Sequence, residues 1–204
     1  MLSANRLTYS YSRDAAPALV DVSLSLTAGE VVGLAGPSGS GKSTLACLLA
    51  GLLARQTGSI SLDGAPLQQT GANAVQMLFQ TAELAVNPRW PINRILTEFH
   101  GRDDALWERF GIREFWLERY PHELSGGELQ RIAVVRALGP RIRYVVADEI
   151  SGMLDTLTQA QIWRALLDHC AARTIGILAI SHDNPLLRRV SSRTLRMVRG
   201  RIED

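Results

Sequence analysis

A chain of 204 residues with 46% apolar content can bury one sizeable domain core, which excludes a disordered regulator or a collagen-like polymer. Twenty-two basic residues against 20 acidic ones leave a formal charge of +2, too balanced for a nucleic-acid coat or an acidic tail, so specificity must lie in local sites. Cys47 and Cys170 match no metal-ligand or redox spacing and are expected as reduced core residues. The longest apolar run, Leu45 to Ala54, is about half of the roughly 20 residues that cross a bilayer, and the N-terminus lacks a signal-peptide pattern. A cytosolic chain is expected.

Leu7, Tyr9 and Tyr11 alternate, as do Val20, Val22, Leu24 and Leu26, and Asp14 to Pro17 reads as the turn between two half-buried antiparallel strands. Val31 to Ala35 is a continuous apolar strand that runs into a glycine-rich turn and then a helix over Ser43 to Ala54. Short apolar segments at Val75 to Phe79, Tyr144 to Ala147 and Thr174 to Ile180 suit covered parallel strands, so the expected class is α/β, doubly wound, with an antiparallel β flank. Residues 81–124 read as a helical insertion with helices over Ile92 to Phe99 and Asp104 to Tyr120, set between core segments 1–80 and 125–204 of a single domain. A helix is expected over Gln159 to Ala171, and Thr194 to Val198 with Arg199-Gly200 suggests a closing hairpin.

Gly36-Pro37-Ser38-Gly39-Ser40-Gly41-Lys42-Ser43 fits G-x-x-x-x-G-K-[ST] between a buried strand and a helix, the context the motif requires. Its glycines let backbone amides and the helix N-terminus wrap phosphate oxygens. Lys42 would reach the β- and γ-phosphates, and the Ser43 hydroxyl would ligate Mg²⁺. An ordinary Gly/Ser turn is the plain alternative, but Lys42 is the only lysine in the chain, and it sits where a planar guanidinium would be too large.

The strand Tyr144 to Ala147 ends in Asp148 and Glu149, at the carboxyl edge where ligands of doubly wound sheets bind. Asp148 would hold Mg²⁺, and Glu149 would polarise a water for in-line attack on a γ-phosphate. Leu124-Ser125-Gly126-Gly127-Glu128 opens a further apolar helix. A capping box of Ser125 with Glu128 accounts for part of it, but two glycines at a helix start cost stability and leave bare N–H groups facing outward.

These residues together resemble the ATP-binding subunits of ABC transporters over nearly the whole chain: a Walker A loop at Gly36 to Ser43, a Q-loop glutamine at Gln80, the signature at Leu124 to Glu128, a Walker B strand ending in Asp148 and Glu149, a D-loop at Ser151 to Asp155 and a switch histidine at His182. The resemblance implies a P-loop NTPase fold with a RecA-like parallel sheet core, an N-terminal antiparallel β layer and a helical signature subdomain. It implies ATP and Mg²⁺ as ligands, with Thr44 beside the loop, Tyr11 or Tyr9 stacking on adenine, Gln80 joining Ser43 and Asp148 around the metal, and Glu149, His182, Gln80 and Lys42 in catalysis. Ser125, Gly126, Gly127, Glu128 and Asp155 would meet nucleotide bound by a second ATPase subunit.

Ala85-Val86-Asn87-Pro88-Arg89 after Gln80 is similar to the oligopeptide, dipeptide and nickel import branch, and the proline-free Glu149-Ile-Ser-Gly-Met-Leu-Asp155 points toward nickel or a metal chelate as cargo. The resemblance implies a pairing of two different ATPases more than of two identical ones, two transmembrane permease subunits docked near Glu83 to Arg94, an external substrate-binding protein acting indirectly, and a place on the cytoplasmic face of the membrane. The other reading is a soluble ABC-type ATPase acting on nucleic acid or ribosomes, but the arginines between Arg188 and Arg201 read as a solvated face, and no nucleic-acid partner is expected. A GTPase would need Asn-Lys-x-Asp, which a chain whose single lysine is Lys42 cannot supply.

Overall fold

The computed structural model describes residues 1–12, 14–67, 74–152 and 154–203. β1 (Leu2–Tyr9) and β2 (Leu19–Leu26) pair antiparallel and send Leu2, Ala4, Leu7, Tyr9, Val22, Leu24 and Leu26 into the core. Each strand carries one irregularity, where Arg6 and Asp21 take positive φ (48° and 53°) and the register shifts. The shift at Asp21 turns Leu19 fully inward in place of Val20, which strict alternation had assigned to the core.

β3 (Val31–Ala35) leads through the glycine-rich loop into α1 (Lys42–Leu49). Gly51 at φ 73° ends the chain's helical path, so α1 stops short of the Ser43 to Ala54 span that composition suggests. Two strands without a clear sequence signal follow. β4 (Thr57–Leu62) lies antiparallel on β1, and β5 (Ala65–Pro66) returns across Asp63-Gly64, whose φ values of 51° and 80° make the tight hairpin. Ile60 alone of β4 is buried, so pairing with the free edge of β1 makes it a strand, not an apolar pattern of its own.

β6 (Val75–Leu78) precedes the helical insertion, which contains α2 (Ile92–Thr97) and α3 (Asp104–Arg109). The single helix expected over Asp104 to Tyr120 is not formed. Asp103 caps α3 by accepting from the Leu106 amide at 2.9 Å, Gly111 at φ 67° breaks the run, and Glu114–Trp116 is only a 3₁₀ turn. Trp107 and Trp116 are nevertheless buried, while Phe115 is exposed. α4 (Gly126–Ala137) then leads back to the sheet.

β7 (Tyr144–Asp148), α5 (Thr156–Ala172), β8 (Gly176–Ile180), α6 (Asn184–Val190), β9 (Arg193–Val198) and β10 (Arg201–Glu203) complete the chain. Strand order in the larger sheet is β10-β9-β3-β8-β7-β6, parallel from β9 to β6, with β10 closing an antiparallel hairpin at Arg199-Gly200. β8 starts at Gly176, since Thr174 takes φ 56°. α6 has no counterpart in the periodicity; Asp183 caps it through the Leu186 amide at 3.0 Å.

Alternation along β7 feeds two apolar layers. Tyr144 and Val146 face α1 and the antiparallel sheet, whereas Val145 and Ala147 face α4, α5 and the buried tryptophans. This α/β core aligns the carboxyl ends of β3, β8, β7 and β6 along one edge, as parallel pairing requires.

Candidate active site

Four strand ends build the site. β3 ends in the loop 36–41, β7 in Asp148 and Glu149, β8 in Ser181 and His182, and β6 two residues before Gln80. Lys42 is 7% exposed, and its Nζ donates to the carbonyls of Gly36 and Pro37, both at 2.9 Å, which curls the loop around its own ammonium. Gly41 takes φ 105°, and a Cβ there would meet Ala18 O at 2.5 Å, so only glycine permits this approach. α1 has no side-chain cap and no acid in its first turn. Its first amides, from Lys42 to Thr44, have no acceptor among the described residues, which leaves a concave row of donors suited to an anion.

Asp148 is also 7% exposed. Burial pushes its carboxyl above the usual carboxylate range, and the Glu149 charge adds to this, against a hydrogen bond from Ser43 and the attraction of Lys42. A buried carboxylate beside a hydroxyl is a hard oxygen donor set, which suits Mg²⁺. No cluster of three His, Cys, Asp or Glu side chains capable of holding a metal occurs among the described residues. Phosphate oxygens and water would have to complete such a coordination sphere, as is usual for Mg²⁺.

Glu149 sits at φ 49°, a bend that lifts its side chain out of the strand direction. Its Oε2 lies 3.1 Å from His182 Nδ1. A Cβ built on Gly152 would lie 3.9 Å from Glu149 Oε2 and 4.0 Å from Gln80 Nε2, so the carboxylate, the imidazole and the amide border one spot. Ser151 is held beneath this spot: its Oγ accepts from Gln159 Nε2 at 2.9 Å and Trp163 Nε1 at 3.0 Å. Of the expected D-loop, Met153 lies outside the described residues. Asp155 caps α5 by accepting from the Leu157 and Thr158 amides, both at 3.0 Å; the Thr158 side chain, with these amides adding to it, holds its carboxyl below the usual range.

Tyr9 and Tyr11 have different surroundings. Tyr9 belongs to the core, whereas the Tyr11 ring is 65% exposed, stands edge-on to Tyr9 at 5.2 Å and shares a 3.0 Å hydrogen bond with Thr44 Oγ1. It therefore flanks the start of α1 with a free face.

Ser125 and Glu128 form the capping box that their spacing suggests: the Ser125 amide donates to Glu128 Oε2 at 2.8 Å and the Glu128 amide to Ser125 Oγ. Gly127 has a packing reason, since a Cβ would come within 3.0 Å of Thr158, but Gly126 has open space around it. Ser125, Gly127 and Glu128 line a groove of about 580 Å³ with Arg113, Arg131 and Gln161; no residue of the 36–43 loop lines it. One chain thus carries two anion-seeking helix starts that do not share a cavity.

The ABC transporter family profile matches residues 19–152, which include both helix starts and the acidic strand end. The chain belongs to the ABC transporter family. It is 36% identical to a putative peptide import ATP-binding protein of Brucella abortus over 90% of this chain and 61% of that protein. It is also 36% identical to the nickel import ATP-binding protein NikE of Rhodospirillum rubrum, over 91% of this chain and 74% of that one, and 35% identical to a probable D,D-dipeptide transport ATP-binding protein, DdpF, of Escherichia coli over 92% and 63%. The chain thus spans about six-tenths of the length of several of these ABC relatives. In fold it matches the ATP-binding cassette MJ0796, solved as a dimer bound to ADP and Pi, with a TM-score of 0.86 at 22% identity over 100% of this chain and 97% of that one. The P-loop NTPase architecture expected of an ABC cassette is therefore present, with the antiparallel β layer and the helical subdomain in place.

The D-loop motif includes Ser151 without indicating that its hydroxyl is anchored, and the motifs missed one member of the neighbourhood, Gln130 inside α4. A polar side chain among the apolar residues of α4 was the one available signal for Gln130.

Proposed function

We propose that this chain is an ATP-hydrolysing subunit of an ABC importer for nickel, a metal chelate or a small peptide. The observation that carries the reading is the convergence of Lys42, Asp148, Glu149, Gln80 and His182 on one sheet edge while Ser125 to Glu128 open a separate groove. A triphosphate seated on the 36–43 loop would be capped by the signature of a second ABC ATPase subunit, a different chain in the reading that the import branch favours. Tyr11 offers its free face to adenine, and Asp155 sits at the start of α5 where two sites could sense each other.

Amides of the loop and Lys42 bind the β- and γ-phosphates, and Ser43, Asp148 and Gln80 would hold Mg²⁺, which when bound neutralises charge on those phosphates. Glu149 accepts a proton from a water whose oxygen bonds to the γ-phosphorus; the bond from that phosphorus to the β,γ-bridging oxygen breaks, giving ADP and inorganic phosphate. His182 holds the Glu149 carboxylate, and Gln80 orients the water. Loss of the γ-phosphate removes what joined the two subunits, and the opening drives the membrane partners.

Those partners are proposed as two permease subunits, with an external binding protein supplying cargo. A groove of about 500 Å³ lined by Leu84, Pro88, Arg89 and Arg136 is the proposed permease contact, and the exposed Leu84 favours an apolar partner. Among the described residues no helix is long and apolar enough to cross a membrane. We place the chain peripherally on the cytoplasmic face of the membrane. The import names of its relatives favour transport over action on nucleic acid.

The decisive test is Glu149→Gln. Hydrolysis of MgATP is expected to fall by about 10²-fold or more while ATP-dependent pairing persists in size-exclusion chromatography. Undiminished turnover would remove Glu149 as the base.

A further inference from the structure

Most buried polar side chains lie at the strand ends or in the helix start that borders them: Ser40, Lys42, Thr44, Asp148, Ser151 and Ser181. Gln130 does not. It lies on α4 among Leu129, Ile132 and Ala133, is 3% exposed, and donates from Nε2 to Phe79 O at 3.2 Å, across 51 residues of sequence. A leucine would fill that helix face without burying an amide, so the hydrogen bond only offsets a desolvation cost that an apolar residue avoids. Stability alone gives no reason for the glutamine.

Its position does. Phe79 is the residue before Gln80, whose amide borders the Glu149 carboxylate. α4 begins at the Ser125 cap and ends near Arg136, which lines the groove containing Leu84 and Arg89. One helix therefore touches the signature end, the peptide preceding Gln80 and the proposed permease contact.

We propose that Gln130 is a positioning residue that ties the Phe79-Gln80 peptide to α4, so that Gln80 stays at the hydrolytic carboxylate only while the signature helix keeps its orientation. This rests on the ATPase reading above. The signature groove and the chain's own hydrolytic centre then move as a unit, and a displacement of α4 at either end withdraws Gln80 from Glu149.

The test is steady-state MgATP turnover of the ATPase pair assembled with this chain carrying Gln130→Met, which keeps length and loses the donor. It is expected to lower kcat roughly tenfold with KM for ATP held within about twofold, and to add nothing in a Gln80→Ala background, because both variants remove the same contact. Gln130→Glu supplies a second readout. A buried carboxyl titrates high, and its protonated form can donate to Phe79 O, so its turnover relative to wild type should recover between about pH 8 and about pH 6 while that of Gln130→Met does not. Unimpaired Gln130→Met, losses that multiply in the double variant, or a flat Gln130→Glu ratio would each overturn the assignment. If Gln130→Met does not fold, the Gln130→Glu profile decides. No turnover in the wild-type assembled pair would remove the ATPase reading together with this one, whereas turnover of that pair with an unimpaired Gln130→Met removes this one alone.

Discussion

His182 Nδ1 lies 3.1 Å from Glu149 Oε2, although the two residues end different strands and are 33 positions apart. Parallel pairing of Asp148 with Ile180 makes this contact possible, because it sets the residues that follow at the same height on the sheet edge. Glu149 N also donates to Ile180 O at 3.0 Å, so backbone and side chain fix the pair together. His182→Ala should free the carboxylate and lower turnover about 10²-fold with ATP affinity unchanged, as misplacement of a base by about an ångström does. Parallel measurements of kcat and nucleotide affinity check this. A fall in affinity alone would assign His182 to binding.

Lys42 is held by two carbonyls of its own loop and, among the described residues, forms no ion pair with a carboxylate, so its ammonium can be handed to phosphate without breaking one. Lys42→Ala should weaken ATP binding by about 2–3 kcal/mol, near the upper range for hydrogen bonds to charged groups. Lys42→Arg should not rescue it, because a planar guanidinium does not fit between the Gly36 and Pro37 carbonyls. Calorimetric titration of each variant with ATP is the check, and wild-type affinity in Lys42→Arg would contradict the fit argument.

Ser125 both caps α4 and faces the signature groove, so its substitutions must separate stability from contact. Ser125→Arg should lower stability by about 1 kcal/mol through the lost cap. Ser125→Asp keeps a capping oxygen but sets a negative charge where phosphate would arrive. Both are expected to leave ATP binding by the isolated chain within about twofold of wild type and to stop turnover in the assembled pair. Loss of binding in the isolated chain would mean that Ser125 serves its own chain's nucleotide.

His169 lies 9% exposed on α5, and burial, with Arg173 and Arg109 adding to it, lowers its pKa from 6.5 to about 4. The folded state therefore prefers neutral imidazole, while the unfolded chain takes up a proton below about pH 6.5. The stabilisation is fully present above that value, falls as pH drops, and is gone below about pH 4, with an upper bound of about 3 kcal/mol. Thermal melting across this window should show a fall that His169→Phe flattens; an identical pH profile in the variant would exclude His169 as its source.

Local patterns carried much of this protein. The Gly36 to Ser43 spacing, the apolar strand before Asp148 and the Ser125-Glu128 box are short-range features whose geometry follows from φ freedom, alternation and capping, and each element appears where its residues place it. Elements without their own signal were not legible: β4 exists only because β1 presents an edge, and α3 stops where Gly111 turns positive in φ.

Residue order alone was enough for the α/β class and for the side chains able to do chemistry. Long-range packing was needed to expose Tyr11 while burying Tyr9, to bring His182 to Glu149, and to carry Gln130 to Phe79. The division has a physical cause. Turns, caps and alternation depend on neighbours within a few residues, whereas these relationships depend on strand order, register and packing between segments far apart in the chain.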